Sequence, residues 1–203
     1  MNLLRETRPA NAHGDWTVRL RIPKPPYTDD IAERLEKWKG GSILETPEIF
    51  EAFHIHPDLA SRTGVLGAGF LAHGLMSKRD REIVIDRVTC KYGAEQEWSL
   101  HASIFGESVG LSEPQLDSTA TGPSSAADLW PPEELQPMEA VDELAETTDL
   151  CDASWAFLRN RYDDKQIVEF IVLVGWYRTV SSMCNVLRIP SHPECRPFPE
   201  KTA

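Results

Sequence analysis

The sequence predicts an all-α protein. Apolar residues recur every three or four positions along most of the chain, and segments with this spacing start at capping residues such as Thr28 and Ser77. No stretch alternates apolar and polar residues as half-buried strands do, although VIDRV and FIVLV are β-branched runs. With 203 residues, 41% of them apolar, the chain can bury one sizeable core. We therefore expect a single domain.

The first half of the chain predicts an arm followed by five helices. Residues 1–27 contain four prolines and no sustained periodicity, so we expect an extended N-terminal arm that lies over the body or over a neighbouring subunit. The helical domain is expected at 28–190. Its first five helices are predicted to start near Thr28, Pro47, Leu59, Ser77 and Ala94.

The second half is predicted to contain a long loop and three more helices. A helical turn starts at Ser112, but between residues 117 and 137 the composition shifts to Ser, Thr, Pro, Ala and Gly, which predicts a mobile loop of about 20 residues. Helices are predicted again after Met138, at 152–161 and at 163–189, and a tail at 191–203 is expected to lie on the surface. Because DREIV, at 80–84, and DKQIV, at 164–168, look like equivalent helix starts, we expect two related helical units.

Charge and composition exclude several classes of protein. Asp and Glu number 32 against 21 Lys and Arg, which gives a formal net charge of −11, and no basic stripe offsets it, so we expect no nucleic-acid partner. The longest apolar run is too short to cross a bilayer, and the N-terminus lacks the apolar centre of a secretory signal. We expect no membrane partner and a cytoplasmic protein. The four cysteines are far apart, which favours reduced, mostly buried thiols.

One pair of residues has the spacing of an acid–base site. Glu97 and His101 are four positions apart on a predicted helix, so their side chains share one face and can form a hydrogen bond. The carboxylate would then orient the imidazole and raise its basicity. The same spacing is also common in solvated pairs on helix surfaces, and the pattern alone does not choose between the two.

The segment RDREIVIDRVTCKYGAEQEWSLHASIFGESVGLSEPQL, at 79–116, resembles the signature of the carboxymuconolactone decarboxylase and alkylhydroperoxidase-D-like superfamily. The segment DDKQIVEFIVLVGWYRTVSSMCNVLRIP, at 163–190, is similar to the second half of its longer members. The resemblance covers roughly residues 45–190 in order, spacing and helix breaks. It implies the family's all-α fold and an assembly of three or six copies.

The sequence departs from the peroxidase branch of that superfamily. This branch carries a Glu, a CxxC pair and a His, and the matching positions are Glu82, Ala94, Glu97 and His101. Both redox cysteines are therefore absent, and Cys90 is the substitute closest in sequence to Ala94. The resemblance implies instead that Glu82 joins Glu97 and His101 in an apolar pocket, as a proton-relay trio.

Four further residues are candidates for substrate binding. In the sequence Tyr92 and Trp98 lie between members of the trio. Tyr177 and Arg178 lie where similar proteins carry aromatic residues. Each has a structural alternative, since a Trp or Tyr at these positions is also typical of a packed core, and Arg178 could pair with a carboxylate of the chain. His54 and His56 lack the spacing of a metal pair, and no phosphate-binding loop is present, so we expect neither a metal nor another cofactor.

The sequence therefore predicts a cofactor-independent lyase or isomerase. Its reaction would be decarboxylation, dehydration, double-bond migration or cyclisation of a small organic acid, lactone or polyketide-like metabolite, with His101 as general acid or base. One alternative is a non-catalytic binding or scaffold protein, in which side chains fill the pocket and His101 is paired away from solvent. A third is a thiol peroxidase that uses Cys90. The resemblance implies a homo-oligomer, a trimer or hexamer, and the apolar residues of 163–189 agree with an oligomer.

Overall fold

The computed structural model describes residues 18–39, 45–122 and 127–199. Within these ranges the chain is helical and contains no strand, which confirms the predicted all-α class. The α-helices are α1 (Asp29–Lys39), α2 (Glu48–Phe53), α3 (Pro57–His73), α4 (Lys78–Lys91), α5 (Glu95–Phe105), α6 (Glu113–Thr121), α7 (Pro132–Thr147), α8 (Asp152–Arg161) and α9 (Asp164–Leu187). Residues 1–17, the first part of the predicted arm, lie outside the described ranges.

Helix α4 is the centre of the fold. Ten consecutive residues, Asp80 to Thr89, are buried, and the helix packs against α5, α6, α7 and α9. Its start is fixed by Ser77, whose hydroxyl accepts a hydrogen bond from the backbone N–H of Asp80. Because α4 has neighbours on all sides, its charged residues face protein rather than water, and five of them are buried: Asp80, Arg81, Glu82, Asp86 and Arg87.

The predicted loop at 117–137 is wrong at both ends. A capping box between Ser112 and Gln115 starts α6, which continues to Thr121, and α7 begins at Pro132 rather than near Met138. Proline at the first position of a helix loses no hydrogen bond, and burial against the core keeps Pro137 inside the helix despite its missing N–H. Only 122–131 is left between the two helices, and it includes a 3₁₀ turn at Ala127–Leu129.

Both chain ends pack on the helices where they are described. Ile22 of the arm is buried in a cluster with Phe53 and Ile189. The tail was predicted at 191–203, and its described part, up to residue 199, packs on the helices through specific contacts. Arg196 forms an ion pair with Asp117 at 2.6 Å, and the Phe198 ring packs against Trp98 with centroids 5.2 Å apart.

Helix α9 meets the length and composition criterion for crossing a membrane, contrary to the sequence-based expectation that no segment does. Within its most apolar window, 44% of the residues are buried inside the chain. One such helix is weak evidence of insertion, because core helices of soluble proteins meet the same criterion. The N-terminal end of α9 is joined to the α3–α4 turn, where Glu169 accepts a hydrogen bond from the backbone N–H of Leu75 at 2.6 Å.

Candidate acid–base site

Three helices bring Glu82, His101 and Tyr177 together. Glu82 lies in the buried part of α4, His101 on α5 and Tyr177 on α9, and all three are at most 5% exposed. The His101 Nδ1 is 2.8 Å from Glu82 Oε2, and the His101 Nε2 is 3.1 Å from the Tyr177 hydroxyl. The imidazole is therefore held at both ring nitrogens.

Glu97 completes the predicted trio on the same helix as His101. Its Oε1 is 3.6 Å from His101 Nε2, so the two groups form an i,i+4 ion pair rather than a close hydrogen bond. Both side chains are buried, which answers the question that the sequence pattern left open: the pair is internal and not a solvated surface pair.

Arg81 extends the trio on its other side. The guanidinium of Arg81 donates to Glu82 Oε1 at 2.8 Å and to the backbone carbonyl oxygen of Leu71 at 3.1 Å. Arg81, Glu82, His101 and Glu97 thus form a buried row in which basic and acidic groups alternate. Arg81 was not predicted as a site residue, because a basic residue beside a helix start is ordinarily exposed.

The acidic neighbours keep a proton on His101. Burial alone lowers the pKa of His101, but the charges and hydrogen bonds of Glu82 and Glu97 outweigh it and raise that pKa to about 10. At neutral pH His101 is therefore an imidazolium that donates from both nitrogens. Burial, with the charges of Glu97 and Glu82, raises the pKa of Tyr177 well above its ordinary value, so that its phenol stays neutral and its oxygen can accept from Nε2.

Two carboxyl groups at the site have oxygen atoms without a hydrogen-bond partner among the described residues. One atom is Oε2 of Glu97, and the others are both oxygens of Asp86, which is fully buried one helical turn after Glu82. Burial and the nearby charge of Glu82 raise the pKa of Asp86 well above its ordinary value. Buried polar atoms nearly always find partners, so these three are exceptions that require an explanation. The i,i+4 spacing from Glu82 could have identified Asp86 in the sequence.

Three predicted substrate-binding residues lie elsewhere. Trp98 is fully buried in the core, where its indole N–H donates to Thr119 Oγ1 at 2.9 Å. Arg178 is placed over the Tyr92 ring, 5.3 Å from its centroid, so these two residues contact one another instead of the trio. Of the four candidates, only Tyr177 reaches His101. Trp98 was predicted at the site because it follows Glu97 in the sequence. Neighbouring residues on one helix point in different directions, so this prediction was wrong.

The thiol that could replace the absent redox pair is poorly suited to that role. Cys90 donates a hydrogen bond to the carbonyl oxygen of Ala120, and burial raises the pKa of its thiol to about 11. A thiolate is the reactive form, and little of it exists at neutral pH with such a pKa. Ala94, at the first cysteine position of the peroxidase branch, is fully buried.

A cleft of about 190 Å³ opens beside the trio without including it. Gln96 and Leu100, each of which precedes a trio residue on α5, line one wall, and Lys24, Glu48 and His192 are at the rim. Its floor includes Ile49 and Ile189, which share an apolar cluster with Ala94 and Cys184. Within the described ranges, the trio itself is closed off from solvent by side chains.

Comparison with known proteins identifies the fold. The chain matches no family model and no curated protein. It is similar to the crystal structure of an alkylhydroperoxidase AhpD core, an uncharacterized peroxidase-related protein from Ralstonia eutropha JMP134, with a TM-score of 0.72 and 18% identity over 87% of this chain and 93% of the other. An uncharacterized peroxidase-related protein from Silicibacter sp. TM1040 gives a TM-score of 0.72 and 14% identity over 89% and 94%.

A third similar structure is a protein of unknown function from Agrobacterium tumefaciens that has been provisionally named an antioxidant defence protein AhpD. Its TM-score is 0.59 and its identity 20%, over 69% of this chain and 94% of the other. Identities this low establish the fold and not the activity. The resemblance drawn from the sequence is confirmed at the level of the fold: the chain has the AhpD-like helical fold.

Proposed function

We propose that the protein is a cofactor-independent acid–base enzyme of the cytoplasm, a lyase or isomerase that acts on a small organic acid, lactone or polyketide-like metabolite. The observation that supports this most is the buried row of Arg81, Glu82, His101 and Glu97, which ends at an unpartnered carboxylate oxygen. Burying such a row of charged groups costs desolvation energy that well-packed apolar residues would avoid. A gain in stability therefore does not explain why the row is there. Clusters of this kind are enriched in functional sites.

In this proposal His101 is the proton donor. Its imidazolium is held between Glu82 and Tyr177, and Glu97 lies on the side of the ring that carries Nε2. Glu82 fixes the ring and balances its charge, while the free Oε2 of Glu97 is the group available to accept a proton from a bound molecule. The sequence left the choice between acid and base open, and the pKa of His101 favours the acid.

Decarboxylation of a β-keto acid illustrates the step. His101 donates its proton to the ketone oxygen while the bond between the α-carbon and the carboxylate breaks, and carbon dioxide leaves with an enol as the other product. The enol then takes a proton at carbon from water and returns its hydroxyl proton to the imidazole. One proton is consumed overall, in agreement with the loss of the carboxylate.

The cleft beside Gln96 and Leu100 is the proposed route to the site. Its volume suits a molecule of a few heavy atoms, and Gln96, which lines it, has a buried side-chain oxygen without a hydrogen-bond partner among the described residues. In this proposal the apolar side chains of the lining, among them Ile49 and Ile189, rearrange to admit a substrate. We place the opening at 189–193, because this stretch contains no regular helix and lines the cleft.

A second candidate is a non-catalytic binding or scaffold protein of the same fold. One observation favours it: His101 is 5% exposed and both ring nitrogens have partners within the chain, which is the arrangement that this alternative predicts. The thiol peroxidase alternative is disfavoured by Cys90, which is partly buried and hydrogen-bonded and whose thiol has a raised pKa.

Turnover measurements with matched variants separate these candidates. A panel of β-keto acids and unsaturated lactones is incubated with the wild type and with the His101→Gln, Glu97→Gln and His73→Gln variants. His73 is exposed at the end of α3 and serves as the control. We expect loss of general acid–base catalysis to lower turnover about 100-fold or more in the first two variants and to leave His73→Gln unchanged. Equal turnover in all four proteins would remove the trio from the mechanism, and a wild type without turnover on the panel would favour the scaffold.

A further inference from the structure

The last described segment of the chain forms one wall of the cleft. Residues 189–199, which we call the C-terminal strap, start where α9 ends, since Arg188 adopts a left-handed φ of 58° that terminates the helix. Residues 190–193 of the strap line the cleft together with Gln96 and Leu100 of α5. The position of the strap therefore decides how far the cleft is open.

Ile189 anchors the inner end of the strap. Its side chain is buried in an apolar cluster with Ala94 and Cys184, and its backbone N–H donates to the carbonyl oxygen of Cys184 at 2.9 Å. Cys184 is fully buried, and this burial, together with the charge of Glu97, raises the pKa of its thiol well above its ordinary value. Because the charge of Glu97 acts on Cys184, the thiol under Ile189 lies close to the candidate site.

Arg196 fastens the outer end of the strap to α5 and α6. Its guanidinium forms ion pairs with Asp117 Oδ1 at 2.6 Å and with Glu113 Oε2 at 2.9 Å. The same group lies 5.3 Å from the centre of the Trp98 ring, in a cation–π contact. Its backbone N–H donates to Ser103 Oγ at 2.9 Å.

Phe198 adds a second fastening two residues later. Its ring packs against Trp98, with centroids 5.2 Å apart, and its backbone N–H donates to Glu95 Oε1 at 3.1 Å. We call Arg196 and Phe198 the latch of the strap. Both residues hold the strap on α5, the helix that carries Glu97 and His101 of the candidate site.

The latch is built from contacts that can be released without unfolding the domain. The acidic partners of Arg196 are at the surface, where the side chain of Glu113 is 79% exposed and that of Asp117 44%. Ion pairs this exposed are weak and are screened by salt. Four prolines, at 190, 193, 197 and 199, restrict the backbone of the strap, so we expect it to move as one piece.

We propose that the C-terminal strap is a gate for the cleft. Release of the latch lets the strap turn about Arg188 and lift Ile189 out of the apolar cluster. The open strap uncovers Cys184 and connects the cleft with Glu97. The use of this gate by a substrate rests on the proposed function, whereas the opening itself needs no substrate and is tested without one.

The rate at which N-ethylmaleimide alkylates Cys184 measures the opening. All proteins carry Cys195→Ser, so that alkylation of the strap does not itself open it, and mass spectrometry of peptides follows each remaining cysteine. We expect the Cys184 rate to rise about tenfold in Arg196→Gln and in Phe198→Ala, because both variants weaken the latch. Arg62→Gln is the matched control, since Arg62 forms an exposed ion pair with Asp58 on α3. It should leave the rate unchanged.

Cys90 shows whether a variant loosens the whole domain. Its thiol donates to the carbonyl oxygen of Ala120, away from the apolar cluster that holds Cys184, and its rate should be the same in all proteins. An equal rise at Cys90 and Cys184, or a Cys184 rate that neither latch variant changes, would overturn the gate.

Salt provides a second test that needs no destabilising variant. The Debye length falls from about 30 Å in 10 mM sodium chloride to about 3 Å in 1 M, which weakens the ion pairs of Arg196. We expect the Cys184 rate to rise about threefold over this range, and to stay level in Arg196→Gln. A rate that does not respond to salt, or that responds equally in Arg196→Gln, would contradict an ionic latch.

These outcomes are separate from those of the turnover panel. If the latch variants expose Cys184 but no substrate is turned over, the proposed function fails and the gate stands. If turnover depends on His101 while Cys184 stays protected in both latch variants, the gate fails and the proposed function stands.

Discussion

His101 shows how a single residue can be predicted in part. Its spacing from Glu97 indicated a shared helix face, and the resemblance to the superfamily added Glu82; the structure brings all three together. Neither Arg81 nor Asp86 was predicted. The spacing of Asp86 from Glu82 was an available signal, but a charged residue in a helix is ordinarily exposed, and only the position of α4 at the centre of the fold buries both residues. Long-range packing of this kind has no local signal.

The raised pKa of His101 predicts how stability depends on pH. The unfolded imidazole has an ordinary value near 6.5 and the folded one about 10, so the folded state binds the extra proton between these values. Its stabilising effect is complete below pH 6.5 and is lost as the pH rises to 10. We expect the free energy of unfolding to fall by about 3–5 kcal/mol over this window in urea denaturation.

The control for this pH dependence is His101→Gln, which cannot titrate. The pKa of Tyr177 lies well above its ordinary value, so the loss of its proton does not mimic the effect. The slope between pH 6.5 and 10 should be much smaller in the variant. A wild type whose stability is flat in this range would show that the ion pair with Glu82 does not hold a proton on His101.

Asp86 gives a second prediction at this scale. Its carboxyl group is fully buried without a hydrogen-bond partner among the described residues, so the folded state loses the solvation of that group and gains no contact. Asp86→Leu should raise the free energy of unfolding at pH 7 by about 1–3 kcal/mol in urea denaturation. Asp86→Asn keeps the shape and the polarity, and should give little of this gain. A loss of stability in Asp86→Leu would indicate that the carboxyl group is solvated internally.

At the scale of helices, local sequence signals predicted most of the positions at which helices start. They failed where packing against other helices decides the structure. Thr28 and Ser77 were identified as helix starts from residue type, and α1 and α4 begin directly after them. The stretch at 117–137 was misassigned because small and helix-breaking residues suggest a loop, whereas contact with α4 holds both α6 and α7 in helical form there. Pro137 is the clearest case, since burial outweighs the missing hydrogen bond.

An ion pair joins α4 to α7, and its two side chains differ in how far they are exposed to solvent. Arg87 donates to both oxygens of Asp142, at 2.6 and 2.7 Å, and its side chain is 8% exposed against 24% for Asp142. Asp142→Ala takes away the carboxylate partner of a buried guanidinium, which keeps its hydrogen bond to the carbonyl oxygen of Thr119, and should cost about 2–4 kcal/mol. Arg87→Met should cost less, because the more exposed Asp142 keeps Lys91 at 3.7 Å.

Chemical denaturation of both single variants and of the double variant measures this difference. The double variant should recover part of the loss in Asp142→Ala, since an apolar side chain then replaces the unpaired guanidinium. If Arg87→Met were as destabilising as Asp142→Ala, the aliphatic packing of Arg87 would be the main contribution of the pair, and its charge a minor one.

At the scale of the whole molecule, α9 has one side that packs on the candidate site and one side that is exposed. Tyr177 faces His101, while Val168 and Val172 lie on the exposed side. The sequence indicated a long apolar helix here. It could not show which residues face which way, because a helix that is apolar all round has no preferred side.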